Sequence, residues 1–548
     1  MNRILTRLAL VALLALAFGA TAQGDPIRPV TLLTRPQAAA PQEFQSAQLV
    51  AQVWRQLGLD VQVRVMPWEQ LADEVWYNRS NWDMTAWQMV GRPERSDPDE
   101  IVFNLFHSTT AEAGFNFVGY DNPAYDAVAE AQRVAVDLDE RRRLIYEAQA
   151  IIDADQVYAF MVYPESVYAY RSDIWNPDSI VEQSGIGIKN TWTFINAEPI
   201  GDQRTMITNS NDPLQAVNPL FISGAVDSWV TELIWDRLLR VGPDGLPQPW
   251  SAESYEWIDE TTIDVVLREG MLWHDGEPVT VDDVVFSFEV AQGDQVPMYR
   301  PFVSGISSIE ALDDRTVRFT LFQPSAAFLT ASLAKINLVP KHVWEPIIAE
   351  LEGQPENAES IQEDDPIGSG PFRMVRWRGS EEVVLEANPD HFNPPQMDRW
   401  ILRVIPNVEA SLGMLRSGEI NFLSAYGGDP EVLQQTSEGL PIEIVASTDI
   451  GFRFMAFNHR RPPFDDTAMR RALSFAINRD LIVQAAYNDF ATPANSPVSV
   501  ALEFWANPAV AEFETGVERA RQILEDAGYV LVGGRLHYPT GVTETLGN

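Results

Sequence analysis

The sequence predicts an α/β protein with more than one hydrophobic core, and three observations carry that prediction. Near the amino end lies a complete strand–helix–strand unit. Residues 30–33 form a β-branched and leucine run, Phe44, Ala47, Ala51, Trp54 and Leu57 recur at helical steps, and Leu59, Val61, Val63 and Val65 alternate with polar residues. A helical period between two strand periods marks a βαβ unit, whose right-handed crossover builds parallel sheet. Strand and helix signals then keep alternating along the chain. Finally, 548 residues that are 45% hydrophobic and 21% charged supply a folded composition with apolar material for two or more cores.

The elements follow in order. Gly58 sits where a glycine closes a helix. Leu144, Ala148, Ile151 and Ile152 mark a second helix, with 140–143 as its charged face, and the strand after it, 157–163, is expected to end at Pro164. A strand at 206–208 leads into a polar loop, Asn209-Ser210-Asn211-Asp212-Pro213. Residues 262–267 and 316–321 read as strands, 282–290 as a helix, and Gly368-Ser369-Gly370-Pro371 as a turn before a strand at 372–377. Helical periodicity returns at 466–476 and 517–527, and Gly533-Gly534 turns a closing hairpin. There is no internal repeat, and no single linker announces a boundary.

Charge and cysteine content narrow the function. Asp and Glu outnumber Lys and Arg by 78 to 39, a net charge of −39, so nucleic acid and anionic membrane surfaces are poor partners. Cysteine is absent, which removes disulfides, thiolate metal sites, cysteine nucleophiles and a lipid-modified cysteine. Arg3 and Arg7, the apolar run 8–17 and the small residues Ala20-Thr21-Ala22 predict a secretory signal over 1–22. No later stretch approaches about 18 uninterrupted apolar residues. The expectation is an exported, unlipidated protein of the periplasm with no direct membrane insertion.

Catalytic signals are weak. The six histidines (His107, His274, His342, His391, His459 and His537) form no paired metal motif. There is no G-x-S-x-G elbow and no phosphate-binding P-loop, and Gly185-Ile186-Gly187 lacks a third glycine. Carboxylates are too numerous for adjacent pairs such as Asp364-Asp365 to indicate acid–base chemistry. No catalytic residue, metal or cofactor is expected.

The positive signal is a resemblance. TIDVVLREGMLWHDGEPVTVDDVVFSFE at 262–289 resembles the family 5 extracellular solute-binding proteins, which serve peptide- and nickel-type ABC importers. PIGSGPFRMVRW at 366–377, NPDHF at 388–392 and FNHRRPPFDDTAMRRALSFAINRD at 457–480 match the same family in series, and NSNDPLQAVNP at 209–219 resembles its first strand and loop. Residues 81–108, 116–126 and 163–171 also resemble the family, but its last third. The pieces therefore run last third first. The order implies a circular permutant whose old ends are joined near 197–204 and whose carboxyl-terminal RLHYPTGVTETLGN should flow into DPIRPVTLLTRP at 25–36. A gene fusion or an assembly error is the alternative.

The resemblance implies a type II, periplasmic-binding-protein-like fold of two α/β lobes that closes on solute by a hinge. One lobe would comprise 23–165 and 445–548, the other 166–444 with an extra subdomain at about 250–345. Asn209, Ser210, Asn211 and Asp212 fall on the loop where the family places ligand-facing groups, a satisfied Asx turn being the alternative. Trp87 matches a cleft tryptophan or is ordinary core, followed by Gln88. Peptide binders of the family carry an Asp shortly after that tryptophan, whereas here a longer segment follows. Counting back from Pro98 places Glu94 there, flanked by Arg92 and Arg95, which could fork onto a carboxylate or phosphate or pair on the surface. That departure puts an ordinary dipeptide ligand in doubt. Arg453 and Asn458 are further candidates. The implied function is a monomeric binding protein that delivers a polar, peptide-like small solute to an ABC permease. A secreted hydrolase on a similar scaffold and a ligand-presenting sensor are the alternatives.

Overall fold

The computed structural model describes residues 24–542 apart from 92, 113, 223, 352–356, 363–364, 425 and 511–514. The predicted secretory signal, 1–22, lies outside the described residues. Strands β1 (Val30–Thr34) and β2 (Val61–Val65) pair in parallel, with the helix Pro41–Gln56 between them in sequence. That helix buries Ala47, Val50, Ala51 and Trp54, and the Trp54 indole donates to the Leu473 carbonyl at 2.8 Å. It stops before Gly58, whose φ of +93° is open to glycine and whose missing Cβ leaves room for Leu531. Strand β3 (Met84–Met89) lies parallel on the other side of β1.

The next strand, β4 (Tyr158–Arg171), corrects the expectation that Pro164 ends it: it runs for 14 residues straight through the proline. Proline removes only a donor, and at this point the ladder changes partners. The Pro164 carbonyl accepts from Asp449 N at 2.9 Å while Glu165 N turns to the Phe490 carbonyl at 3.2 Å.

After β5 (Thr205–Ser210) come a short hairpin, β6 (Leu239–Val241) and β7 (Pro247–Pro249), and four antiparallel strands. These are β8 (Ala252–Asp259), β9 (Thr262–Leu267), β10 (Ile306–Ala311) and β11 (Thr316–Leu321), in spatial order β10-β11-β9-β8. Their inward residues Ile263, Val265 and Phe319 pack with Val284 and Phe288 of the helix Val281–Gln292, forming a separate core. A Thr280–Asp283 capping box starts that helix.

Strands β12 (Phe372–Arg378), β13 (Glu382–Ala387), β14 (Arg399–Val404), β15 (Phe422–Leu423), β16 (Ile442–Thr448), β17 (Phe452–Phe457) and β18 (Ala491–Pro493) complete a 12-stranded sheet. Its order is β12-β13-β14-β5-β15-β4-β17-β3-β1-β2, with β16 and β18 also on β4. Alternation along each strand feeds a core on either face. Met455 joins Val30, Trp54 and Leu473 on one side, while Phe454 joins Trp87, Phe106 and Tyr158 on the other. The β5–β14 half has its own pair of cores, one around Trp235 and Trp400 and one around Leu415 and Leu433.

A terminal hairpin, β19 (Val530–Val532) and β20 (Arg535–His537), turns at Gly533-Gly534 as predicted. The first described residues lie antiparallel to β20: Pro26 bridges His537, Ile27 N donates to Leu536 O and Tyr538 N to Asp25 O, both at 3.0 Å. Among the described residues no helix is long and apolar enough to cross a membrane.

Candidate functional site

Among the described residues, β4 and the β16–β17 segment carry the sheet from one lobe to the other. The first half of β4 pairs with β17, matching Arg453 to Val162, and its second half pairs with β16, matching Thr448 to Glu165. Asp449-Ile450-Gly451 connects β16 to β17 at the same level. Asp449 Oδ1 accepts from Gly451 N at 2.7 Å, and the Ser499 hydroxyl donates to the Asp449 carbonyl at 2.8 Å. Burial pushes the Asp449 carboxyl up, against that amide and the nearby Arg453 and Arg95 charges. Gly91 and Gly451 let two backbones meet here: a Cβ on Gly451 would lie 2.3 Å from Gly91 N.

A cavity of about 870 Å³ opens in this crease, within the range of small-ligand sites. It lies at the carboxyl ends of parallel strands from both lobes, β1 on one side and β5 on the other, the position where open α/β sheets bind ligands. Glu165 to Tyr168 of β4 supply the crossing wall. Gln88, Arg453 and Tyr487 come from one lobe; Asn211, Ser424 and Tyr426 come from the other.

The charged groups of this cavity differ in how they are satisfied. Arg35, just after β1, is held by Glu43 in the first turn of the helix Pro41–Gln56, with Nη2–Oε2 at 2.6 Å and Nε–Oε2 at 2.9 Å. Glu43 also accepts from Arg35 N at 3.0 Å, so the pair fixes the loop between strand and helix. Arg453 has no such partner. Its Nη1 lies 3.4 Å from the carbonyls of Met89 and Phe452, and among the described residues no carboxylate forms an ion pair with it. Among the described residues Glu165 on β4 accepts one side-chain bond, a long one of 3.4 Å from the Thr492 hydroxyl, and burial raises its pKa. A planar fork of donors and a carboxylate that, among the described residues, has no cation partner thus line one cleft.

Of the residues named from sequence, Gln88, Asn211 and Arg453 are brought together around this cavity. Trp87 points to the opposite face of β3, is 7% exposed, and packs with Trp68 and Phe117 at ring distances of 5.1 and 5.4 Å. Asn209 and Ser210 belong to the end of β5 and not to a loop. Asn209 is fully buried and accepts from Ser424 N at 2.9 Å, and Ser210 closes a turn with Asp212, donating to its carbonyl at 2.7 Å. Asp212 is exposed and outside the cavity lining. Arg95 is buried, with Nη1 on the Val90 carbonyl and Nε on Glu100 at 2.9 Å, so its fork is spent within the fold. Asn458 is likewise buried, its amide donating to the Arg79 and Trp82 carbonyls at 2.9 Å. Arg92 lies outside the described residues, as does the Glu94 side chain. Asp97, just before Pro98 in the same segment, is paired with Arg141 at 2.6 Å inside the protein.

Sequence reasoning missed Glu165, Tyr426 and the Arg35–Glu43 pair. Glu165 follows a proline inside an apolar strand, which is a legible oddity. Tyr426-Gly427-Gly428-Asp429 reads only as the lead-in to a helix, which Asp429 does cap by accepting from Glu431 N at 3.0 Å. Among the described residues no group of three or more His, Asp or Glu could hold a metal ion.

Two lobes on crossing strands with a cavity in the crease define the architecture of a solute-binding protein. Residues 247–546 match the family model for bacterial extracellular solute-binding proteins, family 5 middle region, and the chain belongs to that family. It is 31% identical over 264 residues to a putative ABC transporter peptide-binding protein of Brucella ovis, covering 48% of each chain. It is 30% identical over 292 residues to the oligopeptide-binding protein AppA of Bacillus subtilis, covering 51% of each. The chain spans about half the length of the curated relatives it matches. Among solved structures, the substrate-binding protein CtaP of Listeria monocytogenes is 25% identical with a TM-score of 0.49, covering 60% of this chain and 66% of that one.

Proposed function

We propose that the protein captures a small polar, peptide-like solute between its lobes by hinge closure and delivers it to a membrane ABC permease, acting as an exported monomer. The observation that carries this reading is the interlobe cavity lined by Arg453 and Glu165, neither of which forms an ion pair among the described residues. A ligand bearing an anionic group and a cationic group satisfies both, and one that also reaches Asn211 and Ser424 touches the other lobe as well, which favours the closed state. The family's extracellular role and the apolar leader-like run at 8–17 support export. For the test, protein stripped of solute by unfolding and refolding is heated with and without a panel of di- to pentapeptides. Stabilisation by at least one member, growing with its concentration, is expected. A panel that leaves the melting temperature unmoved would overturn the reading.

We further propose that the segment order is a circular permutation, with one lobe assembled from 23–165 and 445–548 and the other from 166–444. Its support is the motif order together with the antiparallel run of 25–27 against β20, which leaves Gly24 beside Tyr538 and Pro539. A reordered chain, 205–542 followed by 24–196, should then fold with the same melting behaviour and bind the same peptides. Failure of that chain to fold would contradict the permutation and leave the binding function untouched.

A further inference from the structure

Away from the hinge, the two lobes touch at a second place. In one lobe, Arg141 sits in the first turn of the helix Leu138–Asp155 and grips Asp97 with both guanidinium ends, Nη2–Oδ1 at 2.6 Å and Nη1–Oδ2 at 2.9 Å. Asp97 and Arg141 are only 8% and 3% exposed. Arg141 holds the Asp97 carboxyl below its usual range despite that burial. A carboxylate has more acceptor sites than one guanidinium fills. The other lobe supplies a further donor: the Thr330 hydroxyl, in the turn Leu329–Leu333 of the subdomain, donates to Asp97 Oδ2 at 2.7 Å.

Beside it, Ala326 N donates to the Arg133 carbonyl at 2.8 Å. Arg133 lies in the last turn of the helix Pro123–Val134, where carbonyls lack a partner within their own helix. One lobe therefore caps a helix of the other. None of these groups lines the cavity.

We propose that Thr330, acting through the Asp97–Arg141 pair, is a closure latch that biases the solute-free protein towards the closed state. Asp97 and Arg141 are positioning residues: their pairing is complete within one lobe and presents a fixed, charged acceptor to the other. A hydrogen bond to a charged group is stronger than one between neutral groups, so losing this one shifts the closed-to-open ratio by about tenfold. A latch that needs no solute raises apparent affinity for every solute, because the binding-competent state is already populated. The inference does not depend on which solute is bound.

The absence of native cysteine permits a direct test on the full-length, solute-stripped protein. Dyes attached through Asp139→Cys and Asp294→Cys, whose parent side chains are 81% and 89% exposed, report the distance between the lobe and the subdomain by single-molecule energy transfer. Thr330→Val removes the hydroxyl at nearly constant volume, and Thr330→Ser keeps it. The expected result is a roughly tenfold lower closed-to-open ratio in Thr330→Val, with Thr330→Ser matching the parent. A Thr330→Val distribution that superimposes on the parent, or an equal shift in both variants, would overturn the latch.

Discussion

Arg141 and Arg453 belong to the same lobe and are used in opposite ways. Arg141 meets Asp97 at 2.6 Å and is saturated by its own protein. Arg453 lies in the interlobe cavity with two carbonyls at 3.4 Å and no paired carboxylate among the described residues. A desolvated cation is costly unless an anion faces it. For Arg141 the fold provides that anion. Arg453 is only partly buried and faces the cavity, where under the proposed function a solute supplies its anion. Under the proposed function the contrast separates charges that build the molecule from charges that do its work, and it can be attacked from both sides.

The largest effect should come from Arg141→Met. Leaving Asp97 buried without its partner should cost about 3–5 kcal/mol, measured as a loss of stability in chemical denaturation. Arg453→Gln should do the reverse. Solute affinity should fall by roughly 2 kcal/mol or more in titration calorimetry, while the solute-free protein keeps its stability to within about 0.5 kcal/mol. Equal destabilisation by the two variants would erase the distinction.

The carboxylates beside these arginines should give pH responses of opposite sign. The Asp97 pKa is lowered in the folded state, so its contribution is present above the unfolded carboxylate value and is lost as pH falls through the folded one. The Glu165 pKa is raised, so its contribution to stability declines as pH rises from the unfolded carboxylate value through the folded one. Thermal melts across the acid range should show Asp97→Asn flattening the first slope and Glu165→Gln the second. The smallest effects concern neighbours on one loop. Asn211→Ala should weaken solute binding by about 1 kcal/mol, the worth of one neutral hydrogen bond, and Asp212→Ala should change it by under about 0.5 kcal/mol. A larger effect at Asp212 would move the site away from the cavity.

How much was legible in the sequence follows from the range of each interaction. The βαβ unit at 30–65, the helix stop at Gly58 and the hairpin turn at Gly533-Gly534 are local, and periodicity with glycine placement reveals them. The passage of β4 through Pro164 is not, because it depends on β16, β17 and β18, which arrive nearly three hundred or more residues later. The candidate site divides in the same way. Gln88, Asn211 and Arg453 could be named by position, yet nothing local distinguishes Arg453 from Arg95. Arg95 is spent on Val90 and Glu100, which the Pro93–Ser96 turn folds back towards it. Asn458, just past the end of β17, and Trp87, on β3, sit in the right segments but face carbonyls and the aromatic core respectively. Glu165 went unnoticed because its place in the cavity wall depends on β16 and β18, which arrive far along the chain.

Mass spectrometry of solute released from the purified protein and from Arg453→Gln tests the central claim most directly. The account predicts a molecule carrying both an acidic and a basic group in the parent protein, and its loss from the variant. The same molecule at the same occupancy in both would show that the interlobe cavity is not where solute is held.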